Sequence, residues 1–193
     1  MNYKWLYNRF ISLLFKPSST WREIAKEEGG VDVMGSYFYP LAGLAGTISF
    51  LAILITEWVG DDAAHPFVMF REALIGCCVT CVPIIVSFFV SVFMLGKVAR
   101  ALFDFDSKEE AAIYKLVAYS MTVLCVTYTV LAFPVDFKIL VWLCQVYTMY
   151  LIWEGCGCLF KLDDNKKLVF TVMAFVSMVG VAGVTYLLFN KFM

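Results

Sequence analysis

Apolar positions along the chain gather into five long runs, about Tyr39 to Trp58, Ala73 to Leu95, Tyr114 to Phe133, Ile139 to Phe160 and Leu168 to Phe189. Each run has the roughly 20 residues that a helix needs to cross about 30 Å of hydrocarbon. Lipid offers no partner for a free backbone N–H or C=O, so each run is expected as a membrane-spanning helix. Aromatic residues stand at many run ends (Tyr37, Tyr39, Trp58, Tyr114, Phe133, Phe160, Phe189), where rings favour the interface. Only Pro134-Val-Asp-Phe-Lys138 joins the third run to the fourth, which predicts a tight antiparallel hairpin. The pattern describes an all-α, polytopic five-helix bundle over residues 37–193, preceded by a cytosolic segment over residues 1–36.

That preceding segment has a different period. Tyr3, Leu6, Tyr7, Phe10, Leu13 and Leu14 recur at helical spacing, with Lys4, Asn8, Ser12 and Lys16 opposite and Trp5 and Arg9 at the edges. Such an amphipathic helix suits either the headgroup plane or the protein's own cytosolic surface. Pro17 stops it, lacking an N–H and clashing with the preceding turn. Thr20-Trp-Arg-Glu23 reads as a capping box opening a short helix over Trp21 to Glu28, closed by Gly29-Gly30. Between the second and third runs lies a charged elbow, Lys97 to Tyr119, whose cations Lys97, Arg100, Lys108 and Lys115 are too costly to leave in hydrocarbon. Within it Ser107 and Glu110 form a second capping box, starting a helix at about Ser107.

Cation placement orients the bundle. Lys4, Arg9, Lys16, Arg22 and Lys26, the four elbow cations, and Lys161, Lys166 and Lys167 share one side, whereas Arg71, Lys138 and Lys191 share the other. The positive-inside rule then gives N-terminus in and C-terminus out. Composition agrees with a membrane protein: 62% of residues are apolar, 16% charged, and mean hydropathy is +0.80. A net charge of −1 excludes the concentrated basic surface that nucleic acid requires. Small residues at helical spacing (Ala42, Gly43 and Gly46; Ser87 and Ser91; Ser177, Gly180 and Gly183) predict close helix packing.

Candidate chemistry is sparse. Cys77, Cys78, Cys81, Cys125, Cys144, Cys156 and Cys158 lie in or at the ends of apolar runs, without the charged setting that activates a thiol, and read as packing residues. His65, the sole histidine, reads as a loop residue. Tyr119, Thr122 and Thr129 make a hydroxyl stripe on the third helix; Tyr147, Tyr150 and Glu154, with Gln145 nearby, make another on the fourth. The hairpin would let these stripes face each other. Glu154 is the carboxylate furthest inside a span, within reach of Lys115, Lys161 or a tyrosine, and an intramembrane acid is a functional candidate by default. No nucleophile, phosphate-loop or zinc-protease motif is present, and no enzyme, cofactor or metal is expected.

The chain resembles the Yip family of small five-span membrane proteins, linked in eukaryotes to vesicle traffic and Rab-type GTPases. Pro17, Thr20, Trp21 and Ile24 stand in the arrangement that its bacterial members carry before the first span, and Tyr119-Ser120 is similar to their Tyr-Ser pair in the third. The eukaryotic Asp-Leu-Tyr-Gly-Pro signature is absent, Tyr37-Phe-Tyr-Pro40 being its nearest echo, so the resemblance implies the bacterial branch and an inner-membrane rather than a secretory-membrane location. It also implies a non-enzymatic, membrane-organising or partner-binding role. On that reading Lys97, Arg100, Phe103, Lys108 and Lys115 present the cytosolic surface. The expected partners are the lipid bilayer, a membrane or cytosolic protein, and a second copy of the chain. A small transporter or channel using Glu154 and the facing hydroxyls is the competing reading.

Overall fold

Every regular element among the described residues is helical, as apolar runs of this length require. The computed structural model describes residues 3–27, 33–59, 65–103, 107–133, 143–160 and 162–192. Helices α1 (Tyr3–Phe15) and α2 (Pro17–Ile24) come first. A π turn over Met34–Phe38 then leads into α3 (Tyr39–Val59). Next are α4 (Pro66–Phe103), α5 (Ser107–Leu131) and α6 (Gln145–Leu159). The last run divides into α7 (Asp164–Phe175), a second π turn (Val176–Gly180) and α8 (Val181–Phe192).

Four stretches among the described residues are long and apolar enough to cross a bilayer: Met34–Val59, Pro66–Leu102, Glu109–Leu131 and Asp164–Phe189. The expected span from Ile139 to Phe160 is described only from residue 143, and its helix α6 has 15 residues, fewer than the roughly 20 a crossing takes. Four of the expected spans thus stand complete among the described residues, and the run from Ile139 is described only in part. The connection from Pro134 to Lys138 lies outside the described residues.

Several local expectations change. The elbow is largely helix: α4 continues to Phe103 and α5 begins at Ser107. At 38 residues α4 is about 57 Å long, so its ends project beyond the hydrocarbon and carry their charges into water. Pro17 does end α1, but it also occupies the first turn of α2, where a missing N–H is harmless. The Thr20 capping box does not form. Helix α2 starts four residues earlier, Thr20 donates to the Lys16 carbonyl at 2.8 Å, and Glu23 turns to Arg9.

Packing follows burial. In the most apolar 18 residues of Glu109–Leu131, 78% are buried, against 33–39% in the corresponding windows of the other three stretches, which makes α5 the central helix. Helices α3 and α4 meet where Gly46 faces the Cys77 and Cys81 sulfurs and where Thr80 donates to Ser49 at 2.9 Å. Gly43, by contrast, faces open space and makes no helix contact. Ser87 of α4 donates to the Met178 carbonyl in the second π turn, and Tyr128 of α5 donates to the Ala182 carbonyl at 2.8 Å. These hydroxyls bind the last helix to the bundle through backbone acceptors.

Candidate functional site

The largest concentration of buried aromatic and charged groups lies where α1 and α2 cross the end of the bundle. Leu6, Arg9 and Leu13 form the docked face of α1, so the helix is rotated from its expected orientation; Tyr3 and Tyr7 are 72% and 64% exposed. Tyr147 fastens the far end of α1 by donating to the Leu14 carbonyl at 2.7 Å. The helix thus lies on the protein's own surface while showing tyrosines outward.

Pro17, Thr20, Trp21 and Ile24 are all buried on the inner face of α2, and Tyr119 and Ser120 are buried on α5. Trp21 meets Tyr119 edge-on, ring centroids 5.9 Å apart, and Tyr119 meets Tyr37 at 4.6 Å. Gly155 of α6 leaves the indole its room: a Cβ there would sit 2.8 Å from Trp21 Cζ2 and 2.6 Å from Leu116 Cδ1. Thr122 donates to the Tyr119 carbonyl at 2.6 Å and so accepts from the Tyr37 hydroxyl at 2.7 Å. Among the described residues Trp21 Nε1 and Ser120 Oγ are buried without a hydrogen-bond partner. The six residues that carried the family resemblance are therefore internal, packed between the short helices and the bundle.

Charge is threaded through the same region. Arg9, 9% exposed, pairs with Glu27 and reaches Glu23 at 3.4 Å. Its guanidinium also lies 5.4 Å from the Trp5 ring centroid and 5.9 Å from that of Tyr119, within cation–π range. The Tyr119 hydroxyl donates to Glu27 at 3.4 Å. Lys115, 6% exposed, donates to the carbonyls of Ile24, at 3.4 Å, and Glu27. Both carbonyls lie at or just beyond the C-terminal end of α2, where the helix dipole is negative. Lys115 is thus withdrawn from the surface expected of it. Arg9, Glu23, Glu27 and Tyr37 were not among the candidates from sequence; the Leu6, Arg9, Leu13 spacing is the signal that places Arg9 inward.

The two hydroxyl stripes do not face each other. Tyr119 and Thr122 look toward Trp21 and Tyr37, while Thr129 lines an apolar groove with Phe10, Leu41 and Val126. The link between α5 and α6 is instead Gln145, which donates to Thr127 at 2.7 Å and accepts from Thr148 at 3.1 Å. Tyr150 is 42% exposed and Glu154 half-buried; Lys115, its expected partner, is engaged by α2, and Lys161 lies outside the described residues. His65 is exposed, its carbonyl accepting the first N–H groups of α4. Cys125 and Cys156 are buried, and the cysteines of the described residues are free thiols. Among the described residues no three His, Cys, Asp or Glu side chains group as a metal site.

Two further elbow cations, Lys97 and Arg100, border a cleft between α4 and α5. It has a volume of about 430 Å³ and is lined by Phe89, Val92, Phe93, Lys97, Arg100 and Glu110 among others. Arg100 holds Glu110 through Nε and, at 2.7 Å, Nη2. The side chains of Phe103 and Lys108 lie outside the described residues.

A family model described as Yip1 domain matches residues 11–187. No curated protein and no solved structure matches the chain.

Proposed function

The chain belongs to the Yip1 domain family and is a multi-pass integral membrane protein, and from that premise we propose that it works without catalysis, as a platform on which a protein partner assembles at the membrane. The observation that carries this reading is the attachment of α1 and α2: Trp21, Ile24, Arg9 and Lys115 bury their functional groups inward and leave a fixed outer face. Ser19, Arg22 and Glu23 on α2, and Lys26 just after it, form that face and are exposed. A docked pair of helices presents those side chains in one geometry, which lowers the ordering cost of binding. The excess of Lys and Arg at this end supports a cytosolic orientation, in a bacterial inner membrane by resemblance. A second copy of the chain is one candidate partner.

Neither of the two clefts described above is lined by Glu154, which favours the platform over a transporter. Photoreactive residues at Arg22 and Lys26, with one at buried Trp21 as reference, test the proposal in intact membranes. The expected result is one protein captured at both exposed positions, not at Trp21, and lost in Arg22→Glu and Lys26→Glu. Absence of any protein adduct at α2, with ion flux in liposomes that Glu154→Gln abolishes, would overturn the platform reading in favour of transport.

A further inference from the structure

We propose that the cleft between α4 and α5 is a binding site for one anionic glycerophospholipid, its phosphate held by Lys97, Arg100 and Tyr114 and its upper acyl chain by Phe89 and Phe93. The lining changes character along the cleft. Val92 and Ile113 form an apolar floor, and Lys97, Arg100, Glu110 and Tyr114 form a polar mouth. Lys97 follows the apolar run ending at Leu95 by two residues, which sets this mouth at headgroup depth.

The charges leave room for an anion. Arg100 gives Nε and Nη2 to Glu110, so that pair is neutral, with Nη1 still available. Among the described residues no carboxylate pairs with Lys97, whose ammonium lies 5.6 Å from the Phe93 ring. Tyr114 is 38% exposed and its hydroxyl has no partner among the described residues. A cation without a carboxylate partner among the described residues, and donors on Lys97, Arg100 and Tyr114 lining the same cleft, match a phosphodiester. Lys97 supplies the charge and the guanidinium a directional N–H.

The occupant is lipid because of where the cleft opens. Phe89 and Phe93 are 46% and 66% exposed, on a part of α4 apolar enough to cross the bilayer. A soluble anion or peptide could reach Lys97 but not the wall below it; an acyl chain already lies there. The volume, about 430 Å³, suits a headgroup and the start of a chain. Gly96 borders the cleft, and a Cβ built there meets no atom within 4 Å. Its missing side chain keeps the space open.

The test is lipid titration of the whole protein in uncharged detergent, read by native mass spectrometry, with phosphatidylglycerol and phosphatidylcholine as probes. The first phosphatidylglycerol should bind about five-fold more tightly than phosphatidylcholine, the contribution of one cation at a charged surface. Lys97→Gln should remove that preference. Gly96→Leu, which adds a branched side chain at the cleft where a Cβ meets no atom within 4 Å, should eliminate the first bound lipid, with melting temperatures unchanged in both variants. Lys191→Gln, at the other end of the bundle, should leave binding intact. Full first-site binding by Gly96→Leu would mean a lipid of the general annulus and overturn the site. Equal affinity for the two lipids, or displacement by soluble glycerol phosphate at matching concentration, would overturn the assignment to an anionic lipid.

Discussion

Arg9 shows how one side chain can hold an element in place. It is a cation within an otherwise apolar docked face, tolerated because Glu27 neutralises it and two rings cover it. Removing it leaves a half-buried carboxylate without its partner, a loss of about 1.5–3 kcal/mol for a hydrogen bond between charged groups. Arg9→Met should lower the melting temperature in detergent and speed tryptic cleavage after Arg22 and Lys26. Unaltered proteolysis would mean that the apolar contacts alone retain α1. Gly155 acts by absence. A methyl group there meets a rigid indole at 2.8 Å, so Gly155→Ala should destabilise the protein by about 1–3 kcal/mol, checked by the same melt. Serine at position 120 is less easily rationalised: its buried hydroxyl has no partner among the described residues, and nothing in the packing explains it.

At the scale of elements, helix existence was legible, as were the start of α5 at Ser107 and the bounds of α3, but other helix boundaries were not. Apolar run length identifies a span because hydrocarbon thickness sets it, whereas the ends depend on which competitor satisfies the terminal backbone groups. Thr20 and Glu23 had the spacing of a capping box, yet Pro17 could begin the helix and Arg9, distant in sequence, could claim Glu23. The face of α1 was misread for a related reason. Tyr3 and Tyr7 count as apolar in a periodicity, but Glu27, just after α2, offers a carboxylate for Arg9, and both tyrosines stay exposed. Helix α6 carries an open prediction. If the chain crosses five times, reporters fused before Lys4 and after Lys191 should lie on opposite faces of the membrane. Reporters on the same face would leave four crossings and make α6 a helix that does not cross.

For the whole molecule, the sequence alone determined that this is a polytopic helical membrane protein, which regions are wet, and which short motifs place it in its family. Those properties arise from local sums: apolar length, charge position and nearest-neighbour spacing are all written consecutively along the chain. The tertiary structure alone decided what the motif residues do. Trp21 and Tyr119 are almost a hundred positions apart, as are Lys115 and the Ile24 carbonyl, and no pattern along the chain pairs them. Glu154 stood out in sequence because acids are rare in spans, but the placement of α2 directs Lys115 elsewhere. The cleft at Lys97 likewise takes its lining from both α4 and α5, which only the fold brings together. Solvation is a property of each segment and can be read from it, while pairing depends on which surfaces meet once all segments share one bilayer.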